Sequence, residues 1–185
     1  MKILQNHISG LLTIEPSVFE DDRGYFLESF NTKTFEEATG VDVDFVQDNE
    51  SMSNKGVLRG LHFQVPPYAQ DKLVRVVRGS VIDVAVDLRH GSPTFGEYAK
   101  VLLSAKNRIQ FFVPKGFAHG FAVLEDQTIF SYKCSEFYHR DSERSLKWND
   151  PAIAINWEID DPILSQKDKE TEHRLEDFTS TFLVQ

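Results

Sequence analysis

Between Leu11 and Cys134 the chain is written in short runs rich in Val, Ile, Phe and Tyr, each closed by a turn signal such as Gly40, Gly79, Gly91-Ser92-Pro93 or Pro114-Lys115-Gly116. Runs this short bury a face only against other strands, so the rhythm confines the chain to a sandwich or barrel of mainly antiparallel β-strands. Strands are expected near 11–19, 24–30, 44–51, 57–64, 72–78, 81–88, 98–103, 109–113, 120–124 and 128–134. Helical text is confined to 34–39 and to a stretch from Ser165 to about Phe178, where Ser165 is placed to cap a turn carrying Asp168. A chain of 185 residues with 41% hydrophobic content buries a substantial core and reads as one domain.

Strand alternation sorts side chains by face. In the run 81–88 the even positions Ile82, Val84, Val86 and Leu88 are wholly apolar, whereas the odd ones include Asp83 and Asp87, which read as a solvent face. Lys72 shares its face with Val74 and Val76, and Tyr132 shares one with Phe130 and Cys134. Polar groups on apolar faces need partners or a cavity, and a barrel lumen open at one mouth accommodates both residues.

A net charge of −9 argues against a protein that wraps nucleic acid, while leaving room for a small anionic substrate gripped by a few Arg and Lys. No run approaches a membrane span, and the opening 1–14 is broken by Gln5, Asn6, His7, Ser9 and Gly10, unlike a secretory apolar segment. A single cysteine, Cys134, rules out an internal disulfide and a thiolate metal cluster. The expected location is therefore the cytoplasm.

The segment 56–64 places Arg59 and His62 in otherwise apolar strand text. A lone His there is ordinarily a hydrogen-bonded core residue. Strict alternation also sends Arg59 and His62 to opposite faces, so both reach one pocket only if a bulge, at Gly60, shifts the register. A second His, His119, stands where the turn 114–116 leads into a strand. The pair of segments resembles the two-motif layout of the cupin superfamily, whose barrel holds a metal with two His and a Glu from the first motif and one His from the second. Here Gln64 stands where the second His is expected, and the Glu region reads Tyr68-Ala69-Gln70. Two neutral His would hold a first-row metal weakly, so the expectation is a cupin-like barrel without metal.

Asp22-Arg23-Gly24-Tyr25-Phe26-Leu27-Glu28, Gln47-Asp48-Asn49, Leu58-Arg59-Gly60-Leu61-His62-Phe63-Gln64, Gln70-Asp71-Lys72-Leu73-Val74, Ser92-Pro93-Thr94-Phe95-Gly96, Gly116-Phe117-Ala118-His119-Gly120, Tyr132-Lys133-Cys134 and Trp148-Asn149-Asp150-Pro151 follow one another in order. This set resembles the dTDP-4-dehydrorhamnose 3,5-epimerases over about residues 10 to 169.

The resemblance implies a cupin-like jelly roll with a β-barrel core over about 45–135, N-terminal strands over 10–30 at a homodimer contact and a helical tail over 163–185. The implied substrate is a dTDP-linked 4-keto-6-deoxy-hexose, and no metal or organic cofactor is implied. Inverting the carbons beside a ketone takes a base, an acid on the opposite face and a group that stabilises the enolate. By resemblance His62 is the base and Tyr132 the acid. Asp168 holds His62, although by itself it reads as a solvated helix charge, and Lys72 polarises the ketone, although by itself it reads as a strand lysine reaching to solvent. Histidine suits the first role because its unperturbed pKa is about 6.5.

Arg59 and His119 resemble the family's diphosphate and sugar contacts, with Arg23 a further phosphate partner. Glu28, Gln47 and Asn49 resemble its thymidine contacts, and Asp48 between them a substrate-binding residue. Tyr138 resembles its stacking platform for the base, and Glu143 and Lys167 resemble weaker contacts. Arg23 and Glu28 of the family reach the neighbouring subunit's site. Relatives sharing the His and Tyr invert only one carbon or isomerise the ketone. Two other readings therefore remain open: a single 3- or 5-epimerase or ketoisomerase of another pathway, and a non-catalytic cupin that binds a nucleotide sugar.

Overall fold

A computed structural model describes residues 1–183; Val184 and Gln185, the last two residues of the expected tail, lie outside the described residues. In chain order the strands are β1 (Lys2–Gln5), β2 (Leu12–Glu15), β3 (Val18–Asp21), β4 (Gly24–Leu27), β5 (Gln47–Ser53), β6 (Leu58–Gln64), β7 (Lys72–Arg78), β8 (Ser80–Asp87), β9 (Tyr98–Ser104), β10 (Gln110–Val113), β11 (Phe117–Val123), β12 (Thr128–Cys134) and β13 (Glu143–Ser145). They form a six-stranded sheet ordered β1-β2-β10-β7-β12-β5, a five-stranded sheet ordered β13-β6-β11-β8-β9 and a separate β3-β4 hairpin. The helices are short, α1 (Thr32–Thr39) and α2 (Gln166–Glu170).

The two larger sheets face each other across a core of Val74, Val76, Val81, Ala85, Phe111, Phe121 and Phe130. Parts of their outer faces are covered as well. Helix α1 buries Phe35 against Ile14, Leu73 and Phe112 of the six-stranded sheet. It starts at Asn31, whose side chain accepts from Thr34 N–H, and stops at Gly40, which takes the left-handed conformation at φ 71°. The chain after β13 lays Leu146, Ile153, Trp157 and Phe182 on Ile82, Val84 and Val86 of the five-stranded sheet.

That covering corrects the expected solvent face of 81–88. All eight residues of β8 are buried, because one face lines the interior and the other lies beneath the C-terminal chain. Asp87 survives there by accepting from Arg89, Ser92 and Thr94. The expected strand over 11–19 is two strands, broken at Pro16, which has no N–H to donate to a ladder. The expected helix from Ser165 to Phe178 is α2 followed by a 3₁₀ turn over Leu175–Asp177. Between them His173 spends its carbonyl on Lys147 N–H and Leu175 its N–H on Asp150 Oδ2, bonds a continuous helix would forbid.

Candidate active site

Strand β6 supplies His62 and Arg59, and the register between β6 and β11 explains how. His119 pairs with His62 and Phe121 with Arg59, so Gly60 and Leu61 stand opposite Gly120 alone. The expected bulge is present. Gly60 sits at φ 130°, and a Cβ there would lie 2.6 Å from Gly120 Cα, so only glycine lets the strands close at this point. The extra residue turns Arg59 and His62 toward one cavity of about 210 Å³, lined also by Lys72, His119, Phe121, Phe130, Tyr132 and Asp168. A second cavity of about 220 Å³ shares His62, Lys72 and Tyr132 and runs outward past Gln47, Asn49, Tyr138 and Glu143.

His62 Nε2 lies 2.6 Å from Asp168 Oδ1. Asp168 is 3% exposed, not the solvated helix charge it resembles alone, and its other oxygen accepts from Ser165 Oγ at 2.8 Å. Ser165 in turn caps α2 by accepting from Asp168 N–H, so the helix start itself fixes the carboxylate. Burial pushes the Asp168 carboxyl up, but the His62 hydrogen bond and charge, Ser165 and Lys167 outweigh it and hold it below the usual range. It is therefore an ionised acceptor, which favours the tautomer of a neutral imidazole with the proton on Nε2 and the lone pair on Nδ1.

The lumen residues around this pair carry their own shifts. Burial, reinforced by Cys134, pushes the Tyr132 phenol up against the pull of Arg59, so the hydroxyl stays protonated and able to donate. Burial pushes the Lys72 ammonium down, opposed by Cys134, Asp83 and Glu143. His119 Nε2 lies 2.9 Å from Asp83 Oδ1, and this carboxyl is pushed up by burial against His119 and Lys72. Sequence reasoning missed Asp83. The available signal was a carboxylate sharing its strand face with Val81 and Ala85; in the structure Asp83 stands opposite Phe121 of β11.

At the mouth, the Tyr138 hydroxyl donates to Glu143 Oε2 at 3.0 Å and Lys167 Nζ meets the same oxygen at 2.6 Å. Gln47 accepts from Tyr138 N–H and donates to Asn49. Arg59, exposed, donates to Ser53 Oγ. Three expected site residues are not brought here. Asp48 alternates with Gln47 and Asn49 along β5, so it points to the outer face and pairs with Lys133 at 2.8 Å. Arg23 sits on the tip of the β3-β4 hairpin, 89% exposed and paired with Asp21, and Glu28 accepts from Asn31 on the exposed chain beyond it. Neither lines the cavities of its own chain. Among the described residues no three of His, Cys, Asp and Glu converge as a metal-binding set.

Two facing antiparallel sheets with ionisable groups held in the lumen make this a cupin-like jelly roll, here built around a histidine–carboxylate pair and a tyrosine. The model of the dTDP-4-dehydrorhamnose 3,5-epimerase family matches residues 5–176. A Shigella flexneri protein of that name is 55% identical over 168 residues, 91% of this chain and 93% of its own length. The crystal structure of the Elizabethkingia anophelis enzyme superposes with a TM-score of 0.91 at 52% identity, covering 96% of this chain and 97% of that one. A Legionella pneumophila dTDP-6-deoxy-D-glucose-3,5-epimerase, solved in complex with dTDP-4-keto-L-rhamnose, gives 0.91 at 49% identity and covers 95% and 93%. The chain belongs to the dTDP-4-dehydrorhamnose 3,5-epimerase family.

Proposed function

We propose that this chain converts dTDP-4-dehydro-6-deoxy-D-glucose into dTDP-4-dehydro-L-rhamnose, a step of dTDP-L-rhamnose biosynthesis. The observation that carries the reading is the 2.6 Å contact between His62 Nε2 and Asp168, in a cavity that Tyr132 and Lys72 also line. With Nε2–H given to Asp168, His62 Nδ1 removes the proton beside the C4 ketone. Lys72 places positive charge where the enolate oxygen develops, and the Tyr132 hydroxyl returns a proton from the other face. Asp168 stabilises the imidazolium formed in between. Nothing in this sequence of steps calls on a metal or an organic cofactor.

The outer cavity takes the thymidine, and the diphosphate lies toward the inner cavity, where Arg59 and His119 are. Arg59 supplies charge-assisted bonds to the diphosphate with His119 beside it, Tyr138 stacks on thymine, and Gln47, Asn49, Glu143 and Lys167 hydrogen-bond around it. Arg23 and Glu28 serve the partner's site in a homodimer. In support, Phe19, Tyr25 and Phe26 on their hairpin are 65%, 57% and 68% exposed, apolar area that a second copy would cover. The N-terminal strands are then the subunit contact of a single domain whose barrel is the catalytic core. Neither nucleic acid nor membrane enters the account, and among the described residues no helix is long and apolar enough to cross a membrane. The proposed location is the cytoplasm.

Turnover in heavy water tests the reaction. Product carrying deuterium at both C3 and C5 is expected. Deuterium at one carbon alone would reassign the chain to a single epimerase, and none at either in folded protein would remove the epimerase reading.

A further inference from the structure

Gln64 ends β6 two residues after His62, at the position where a metal-holding barrel of this shape would carry its second histidine. It is 5% exposed, and both its amide nitrogen and its oxygen are hydrogen-bonded. Nε2 donates to the carbonyl of Tyr68 at 2.6 Å and of Phe137 at 3.2 Å, and Oε1 accepts from His139 N–H at 2.6 Å. Phe137 and His139 are the two neighbours of Tyr138. One side chain therefore holds the backbone on both sides of the proposed base platform, as a rung of ladder would, while the Tyr138 side chain stays 56% exposed over the mouth.

The same loop is fixed at neighbouring points. Gln70 Nε2 donates to Glu136 O at 2.7 Å, and the His139 ring stacks on Tyr68 at 3.9 Å between centroids with 7° between planes. Val65 N–H reaches Ser142 O at 2.9 Å, closing the loop's far end onto the strand exit. Only an amide meets this set of partners, two carbonyls and one N–H, from a single planar group. A carboxylate of the same shape would face both carbonyls with oxygen.

Gln64 borders the outer cavity, but its amide is spent on three backbone groups, and we propose that it is a positioning residue for nucleotide recognition: through the backbone of Phe137 and His139 it sets the place of Tyr138, and so the affinity for the nucleoside diphosphate. The inference rests on the reading of Tyr138 as the base platform. It gives the ligand position that lacks a histidine a use of its own.

The test is a double-mutant cycle read by calorimetric titration with dTDP, beside steady-state kinetics. Gln64→Glu should weaken dTDP binding about tenfold, the loss of a buried hydrogen bond left facing an acceptor, and the cost should fall mainly on KM rather than on kcat. Tyr138→Ala should weaken binding by itself, and the double variant should bind within about twofold of Tyr138→Ala, because Gln64 acts through that residue. Losses that multiply, or a Gln64→Glu protein that binds dTDP as the unaltered chain does, overturn the proposal. If Tyr138→Ala binds normally, the platform reading fails first and the proposal falls with it. Should Gln64→Glu not fold, Gln70→Met carries the cycle from a half-buried position, with a smaller loss in the same direction expected. Wild-type affinity in that folded variant would then be the contrary result.

Discussion

Replacing Asp168 by Asn removes one charge and keeps the shape, which makes it the sharpest probe of the histidine–carboxylate pair. In the native chain the carboxylate accepts from His62 Nε2 at 2.6 Å with one oxygen and from Ser165 Oγ with the other. An amide cannot accept at both atoms. With Ser165 still donating to the Asn oxygen, the Asn NH₂ faces His62 and donates to Nε2, which drives the ring proton to Nδ1 and removes the lone pair that takes the substrate proton. Losing a charge-assisted hydrogen bond to the imidazolium costs about 1.5 to 3 kcal/mol, or roughly 10- to 150-fold in rate. The wrong tautomer adds to this, and about 10,000-fold in kcat is known for such a change in another histidine–aspartate pair. A fall of about 1,000-fold in kcat is therefore expected, with dTDP affinity nearly untouched because the Asp168 oxygens are spent on His62 and Ser165. Proton wash-out at C3 and C5 followed by NMR measures it. A folded Asp168→Asn protein with kcat within about threefold of wild type would refute the assignment of Asp168.

Two further outcomes follow from the same geometry. Gly60→Ala places a Cβ 2.6 Å from Gly120 Cα and 2.9 Å from His119 O at φ 130°, so it should cost at least about 3 kcal/mol and lower Tm by about 6 to 12 °C in calorimetry; an unchanged Tm would contradict the bulge. Asp168 also contributes to acid stability: its folded pKa lies below the unfolded value of about 3.9, so its contribution is present above that value and is lost as pH falls through the folded pKa. Urea unfolding at about pH 7 and about pH 3 should accordingly show a smaller acid loss for Asp168→Asn than for the native chain.

Much of this was legible in the residues because strand alternation is local. The faces of Lys72 and Tyr132, the need for a bulge at Gly60 and the cap at Ser165 follow from neighbours in sequence. Most of the departures depend on distant chain. Asp83 and Asp87 read as a solvent face because nothing near them announces that residues 146–182 cover the opposite side of β8. The strand β13 escaped notice because three residues carry no period, and its existence is decided by pairing with β6. Asp48 was drawn into the site by the motif Gln47-Asp48-Asn49, although alternation along β5 sends it outward to Lys133. The helical reading to Phe178 failed where Asp150 and Lys147 claimed the backbone of 173–175.

The central claim is that His62 takes the proton and Tyr132 returns one, and the two variants His62→Ala and Tyr132→Phe must then differ in kind. With folding checked by circular dichroism, His62→Ala should lose both exchange of the C3 and C5 hydrogens with solvent and formation of epimerised product, by about 100- to 10,000-fold. Tyr132→Phe keeps the base, so exchange should persist while epimerised product falls sharply. Full exchange in folded His62→Ala would contradict the account and move the base to another lumen group, with His119 next to be tested.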